Sequence, residues 1–227
     1  MTVELKKIQQ QIRDYEEQYS RAPHSVSLLA VSKQQPLEKI LSVIAEGQHA
    51  FGENYLQEAL KKMAVLPKEI EWHFIGPLQS NKTRKIAEQF AWVHSVTSFH
   101  LAKRLSDQRP QSLAALNICI EINLQQETSK SGILASETFA LAKEILTLPR
   151  LKLRGLMAIP KPSSDIQSQR NALHPLVLLF QSLCEHGIAL DTLSMGMSDD
   201  LEAAIAEGAT IVRVGTALFG ERINALE

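Results

Sequence analysis

Ser27-Leu28-Leu29-Ala30-Val31-Ser32-Lys33 is an apolar run too short for a helix, and Pro36 follows at a residue suited to the first turn of one. It predicts a buried strand that turns directly into a helix over 37–46. The unit recurs down the chain. Strand Ala50-Phe51-Gly52 precedes helix 54–64, strand Trp72-His73-Phe74-Ile75 precedes helix 80–89, and strand Trp92-Val93-His94-Ser95 precedes helix 99–107. Strand Asn117-Ile118-Cys119-Ile120-Glu121-Ile122 then leads to helix 136–147, strand Leu153-Arg154-Gly155-Leu156-Met157 to helix 173–186, and strand Thr192-Leu193-Ser194-Met195 to helix 199–206. A last strand, Ile211-Val212-Arg213-Val214, ends the series with no helix assigned after it. Ahead of it all, Val3, Ile8, Ile12 and Tyr15 recur at helical spacing over 2–19, and Arg21-Ala22-Pro23 stops that pattern.

Strictly alternating strands and helices imply a parallel sheet, and eight such units with short connections fit a closed α/β barrel, a (β/α)₈ fold, within one domain over 1–227. The competing open sheet of the dinucleotide-binding kind lacks its G-x-G-x-x-G after the first strand. Lys161 to Asn171 is polar and holds Pro162, while Pro175 interrupts the helical pattern beyond. A long loop and a kinked or late-starting helix are expected there.

Composition narrows the function classes. The 24 Lys+Arg and 25 Asp+Glu leave a net charge of −1 over 227 residues without long blocks of one sign, so neither nucleic acid nor a membrane surface is an expected partner. The longest apolar run, Leu176 to Phe180, is far below the ~20 residues that span a bilayer, and the charged first twenty residues do not read as a signal peptide. A cytoplasmic protein is expected. Cys119 and Cys184 cannot make a disulfide framework or a zinc site and read as buried small hydrophobes.

In such a barrel the working groups gather where strands end and βα loops begin. That rule selects Lys33, Gly52-Glu53-Asn54, Gly76-Pro77-Leu78, Ser194 to Ser198, and Gly215-Thr216. Lys33 reads either as a solvated rim lysine or as an amine that forms a Schiff base. Gly215 and Thr216 after the last strand, with Ser198, suit a backbone phosphate nest, since loops after strands 7 and 8 often hold one. Ser198-Asp199-Asp200 reads equally as a helix start, with Ser198 as N-cap and the two acids capping rather than touching ligand. Because strands 1 and 8 are neighbours in a closed barrel, Lys33 faces the nest, and a phosphorylated aldehyde fits between them. Pyridoxal phosphate combines those handles, and Arg213 is either the charged partner of its ring nitrogen or a buried ion-pair partner.

Seven blocks now stand in order: Leu29-Ala30-Val31-Ser32-Lys33, Phe51-Gly52-Glu53-Asn54-Tyr55, Trp72 to Lys82, Ser129-Lys130-Ser131-Gly132, Arg154-Gly155-Leu156-Met157, Ser194 to Asp200, and Val212-Arg213-Val214-Gly215-Thr216. With them the chain resembles the YggS/PROSC family of pyridoxal-phosphate homeostasis proteins throughout its length. The resemblance implies a barrel like that of alanine racemase, with pyridoxal 5'-phosphate held as an aldimine on Lys33. By the same resemblance Arg213 faces the pyridine nitrogen, Gly215, Thr216 and Ser198 hold phosphate, Ser194 is a weaker phosphate contact, and Asn54 approaches the ring. His73 reads as either a mouth residue or a satisfied interior histidine. Many members carry a second lysine where this chain has Gln35, which removes one route for cofactor handover. Lys82 and Lys130 are further rim lysines, each also readable as merely solvated.

Two functions follow from that site. One is a carrier without catalysis of its own, expected to be a monomer, that supplies apo-enzymes with pyridoxal 5'-phosphate. The other is an amino-acid racemase. The carrier is favoured because racemisation needs an acid/base on each face of the cofactor, and the eleven residues after Thr216 provide no second domain to bring one. An arginine at the pyridine nitrogen also weakens the ring as an electron sink. A cofactor-free aldolase or isomerase of sugar phosphates would use the same lysine and nest without visible absorbance.

Overall fold

A computed structural model describes residues 3–125 and 131–220. The elements follow one another as α1 (Val3–Gln18), β1 (Ser27–Val31), α2 (Leu37–Ala45), β2 (Ala50–Glu53), α3 (Leu56–Met63), β3 (Glu71–Phe74), α4 (Thr83–Gln89), β4 (Trp92–Val96) and α5 (Phe99–Gln108). There follow β5 (Leu116–Glu121), α6 (Ala135–Ile145), β6 (Leu151–Met157), α7 (Ile166–Glu185), β7 (Thr192–Ser194), α8 (Leu201–Ala206), β8 (Ile211–Val214) and α9 (Thr216–Phe219). The strands form a closed barrel in the order β1 to β8, every neighbouring pair parallel. The expected barrel is therefore the observed one. It closes where Leu29 pairs with Arg213 and Ala30 with Val214.

Side chains alternate across the strands, which divides the core in two. The outward set packs under the helices and includes Phe51, Phe74, Ile118, Ile120 and Val212, all essentially inaccessible to water. The inward set forms a separate apolar cluster of Leu29, Trp92, Cys119, Met157 and Ile211. The barrel interior is thus filled by side chains and is not a pore. Leu5, Ile8 and Ile12 of α1 join the outer set, as the helical spacing predicted.

Three local expectations need correction. The helix after β6 does not start late: α7 runs from Ile166 with Pro175 inside it, because Asp165 caps its N-terminus by accepting from the Ser168 amide at 2.8 Å. Proline removes one N–H there without ending an otherwise well-packed helix, whose Leu173, Leu176 and Leu183 are buried. The last strand does have a helix after it, the single turn α9. Cys119 is buried, and burial pushes its thiol up to about 12, but Cys184 is only half-buried.

Gly155 shows how tightly the barrel closes. It follows a one-residue shift in the pairing of β5 with β6 and lies opposite Thr192, whose carbonyl oxygen would be 1.7 Å from any Cβ at that position. Gly155→Ala is expected to cost about 1–3 kcal/mol by forcing β6 and β7 apart. Thermal unfolding followed by circular dichroism should record this as a drop of about 2–4 °C per kcal/mol; an unchanged midpoint would show that the strands yield freely.

Candidate functional site

Strand β1 ends at Val31, so Lys33 stands in a turn and not on the strand. The turn is closed by the Gln35 amide, which donates to the Ser32 carbonyl at 3.1 Å, and Gln34 within it takes a left-handed φ of 59°. A glutamine in that region costs about 1 kcal/mol. The arrangement sends Gln34 to solvent and leaves Lys33 and Gln35 to line a cavity of about 310 Å³ at the mouth of the barrel.

That cavity brings most of the predicted residues together. Lys33, Asn54, Ser198, Arg213, Gly215 and Thr216 all line it, with Val31, Gln35, Ile75, Ile159, Met197 and Asp199 completing the wall. Closure of β1 on β8 sets Gly215 against the Val31 backbone, where a Cβ would lie 3.3 Å from the Val31 carbonyl oxygen. Gly215 precedes α9, whose first amides have no carbonyl partners from within the helix. Ser198 does not cap a helix as the sequence allowed. Helix α8 begins at Leu201, three residues later and behind Asp200, and the Ser198 hydroxyl instead accepts from the Ala217 amide at 3.4 Å, which ties the β7 loop to the start of α9. Asp200 is buried and accepts from the Met197 amide at 2.6 Å, while Asp199, read as a capping group, stands exposed on the cavity rim.

Ser194 is not on the wall. It is fully buried beneath Arg213, whose Nη1 donates to the Ser194 hydroxyl at 2.8 Å and to its carbonyl at 2.6 Å, while Nη2 donates to the Ala158 carbonyl at 3.0 Å. Arg213 is held by neutral oxygens, with Glu121 and Asp200 as the carboxylates that act on it. Burial lowers its guanidinium to about 10 against their pull, so it keeps its charge at neutral pH. Burial likewise pushes the Glu121 carboxyl up to about 7, with Arg213 opposing.

A chain of hydrogen bonds, buried as far as His73, runs down the barrel from Ser194 to the half-exposed Glu71. The Ser194 hydroxyl lies 2.8 Å from His94 Nδ1, His94 Nε2 lies 2.9 Å from His73 Nδ1, and His73 Nε2 lies 2.9 Å from Glu71 Oε1. Burial lowers the pKa of both histidines and favours their neutral forms, and for His94 the nearby Arg213 guanidinium and the competing His73 imidazole push in the same direction. The tautomers then follow. The Glu71 carboxylate needs the proton of His73 Nε2, His73 Nδ1 must accept from His94 Nε2, and His94 Nδ1 must accept from Ser194. His73 is therefore the interior histidine and does not reach the mouth.

Several residues in or beneath the site were not singled out by sequence. His94 shares the inward parity of Trp92 on β4, which was a usable signal. Gln35 is a buried wall residue rather than only a missing lysine. Lys62 is buried on α3, and its i,i+4 spacing from Glu58 was the readable sign. Lys82 stands at the start of α4, off the cavity wall. Lys130 lies outside the described residues.

The alanine racemase N-terminal domain family matches residues 3–223. The pyridoxal phosphate homeostasis protein of Pseudomonas aeruginosa is 52% identical over 219 residues, covering 96% of this chain and 94% of that protein. PipY of Synechococcus elongatus, solved with PLP bound, superposes with a TM-score of 0.81 at 37% identity, covering 92% of this chain and 100% of that one. Alanine racemase of Corynebacterium glutamicum, with a TM-score of 0.68 at 18% identity over 95% of this chain and 61% of its own, shares the barrel fold. With its closed barrel and its strand-end lysine opposite a glycine turn, the chain belongs to the pyridoxal phosphate homeostasis protein family, built on the alanine racemase N-terminal domain.

Proposed function

We propose that this chain, as one barrel unit over 1–227 and as a monomer in the cytoplasm, holds pyridoxal 5'-phosphate through an imine to Lys33 and supplies it to apo-enzymes without catalysing a reaction on amino acids. The observation that carries this reading is the shared cavity of Lys33, Arg213 and the Gly215-Thr216 turn. The residues present fit the group. Gln35 Oε1 and Asn54 Oδ1 are buried with no partner among the described residues, so the wall has polar capacity that a bound molecule can use. When bound, pyridoxal 5'-phosphate supplies an electrophilic aldehyde and an electron-accepting ring.

Each residue then has a task. The lone pair of Lys33 Nζ adds to the aldehyde carbon, a C=N bond replaces C=O, and the oxygen leaves as water, so no redox partner is needed. Gly215, Thr216 and Ser198 receive the phosphate, where the absence of a side chain at Gly215 permits close backbone approach. Arg213 presents a permanent cation to the ring nitrogen and keeps that nitrogen unprotonated, which restrains carbanion chemistry. Asn54 and Gln35 orient the ring from the β1 and β2 side. Ser194 acts through Arg213 rather than on phosphate.

The carrier reading over the racemase is supported by the wall itself. Among the described residues that line the cavity, Lys33 and Asp199 are the ionisable side chains besides Arg213, and Asp199 is on the rim beside Ser198. Two-sided proton transfer requires a second group flanking the reacting carbon.

Lys33→Ala is expected to remove the visible absorbance that the protein gains on mixing with pyridoxal 5'-phosphate while leaving its circular dichroism unchanged. Full colour after dialysis would assign the link to another lysine. L-Alanine incubated with the loaded protein in deuterated water is expected to keep its configuration and its α-proton, read by NMR and chiral chromatography, while an apo-enzyme mixed with the same protein gains activity. Turnover of D- and L-alanine that disappears in Lys33→Ala would establish the racemase instead.

A further inference from the structure

The turn that carries Lys33 rests on a buried charge cluster that the reading above leaves without a role. Lys62, from α3 and 5% exposed, donates all three ammonium protons at 2.6 Å: to the Ser32 carbonyl, to Glu53 Oε1 and to Glu58 Oε1. The Ser32 hydroxyl donates to the same Glu53 oxygen at 2.6 Å. Glu58 Oε1 also accepts from the amide of Gln34, again at 2.6 Å. The first residue of the turn is thus gripped through its carbonyl and its hydroxyl, and the third, left-handed residue through its amide. Lys33 is the residue between them.

Such a cluster is not an economical way to stabilise a fold. Burying Lys62 with Glu53, whose carboxyl is raised by its own burial against the pull of Lys62 and Ser32, strips water from both charges for little net gain in stability. The Gln35 amide bond closes the turn without selecting the φ of Gln34, whereas the Glu58 carboxylate takes hold of the Gln34 amide itself. What the cluster does achieve is a single backbone shape at the residues on either side of Lys33.

We propose that Lys62, with Glu53 and Glu58, is the positioning device for Lys33: it fixes the Ser32–Gln35 turn so that the Lys33 amine meets a carbonyl group in the cavity. The inference rests on the reading of Lys33 as the covalent residue. Lys62 is a positioning residue, held by three oxygens and absent from the cavity wall.

Two phosphorylated ligands separate positioning from general support. Pyridoxal 5'-phosphate has the aldehyde that Lys33 uses, whereas pyridoxine 5'-phosphate has an alcohol in its place and engages only the phosphate and ring contacts. In the full-length protein, Lys62→Met is expected to weaken and slow pyridoxal 5'-phosphate binding by about 10–100-fold, the scale of a misplaced reacting group, while the affinity for pyridoxine 5'-phosphate stays within about twofold. Lys33→Ala sets the reference for complete loss of the aldehyde-specific part. If Lys62→Met does not fold, Glu58→Ala decides: it removes the acceptor of the Gln34 amide from a partly exposed side chain, and the same selective loss is expected at about 3–10-fold.

Equal loss of both ligands, or loss of neither, overturns the positioning role. Should Lys33→Ala itself fail to discriminate the two ligands, the covalent reading falls and takes this inference with it. A discriminating Lys33→Ala beside a non-discriminating Lys62→Met or Glu58→Ala would remove the cluster's role alone.

Discussion

Pairing of β1 with β8 is the contact on which the site depends, because it joins two segments about 180 residues apart in sequence and sets both ends of the strands at one mouth. Leu29 opposite Arg213 and Ala30 opposite Val214 bring the turn after β1 alongside the Gly215 turn after β8. Lys33 and the Gly215 backbone, the amine and the anion site of the proposed function, thereby share a wall. The other strands contribute by curvature as much as by side chains: Gly155 lets β6 and β7 approach more closely than a Cβ would tolerate, and the circle closes.

Charge inside the barrel is handled by two arrangements of different character. Arg213 stays charged at the top of the interior, bound to carbonyl and hydroxyl oxygens, and the neutral histidines below it pass a directed set of hydrogen bonds down to Glu71. No proton needs to move for this chain to work. Its effect is to commit the Ser194 proton to His94, which leaves the Ser194 oxygen to accept from Arg213 and so holds the guanidinium in one orientation. Beside it, Lys62 with Glu53 and Glu58 uses full charges at short range to hold backbone. Rigid support of both kinds suits the proposed role of the site, in which one amine meets one carbonyl carbon.

The sequence was most readable where periodicity and strand ends coincide. Alternating apolar strands and amphipathic helices exposed the barrel, and the strand-end rule then selected Lys33, Asn54 and Gly215 without reference to any contact. It was less readable where a side chain faces the barrel interior. Ser194 closes β7 directly after Leu193 and Thr216 stands just past β8 after Gly215, yet one is buried under Arg213 and the other is exposed at the mouth, a difference of depth that local pattern does not carry. Pro175 misled for a related reason, since its cost to α7 is local while the packing of Leu173 and Leu176 and the Asp165 cap act over the whole helix. Lys62 escaped notice because a lysine in a charged helical segment is ordinarily solvated.

The most direct test of the account is chemical trapping of the loaded protein. Treatment with borohydride reduces a lysine imine to a stable secondary amine, and peptide mass mapping then locates it. The account predicts one reduced phosphopyridoxyl group, on the peptide that contains Lys33. A modified Lys62, Lys82 or Lys130 with Lys33 untouched, or no covalent adduct from a protein that still retains the cofactor, would contradict it.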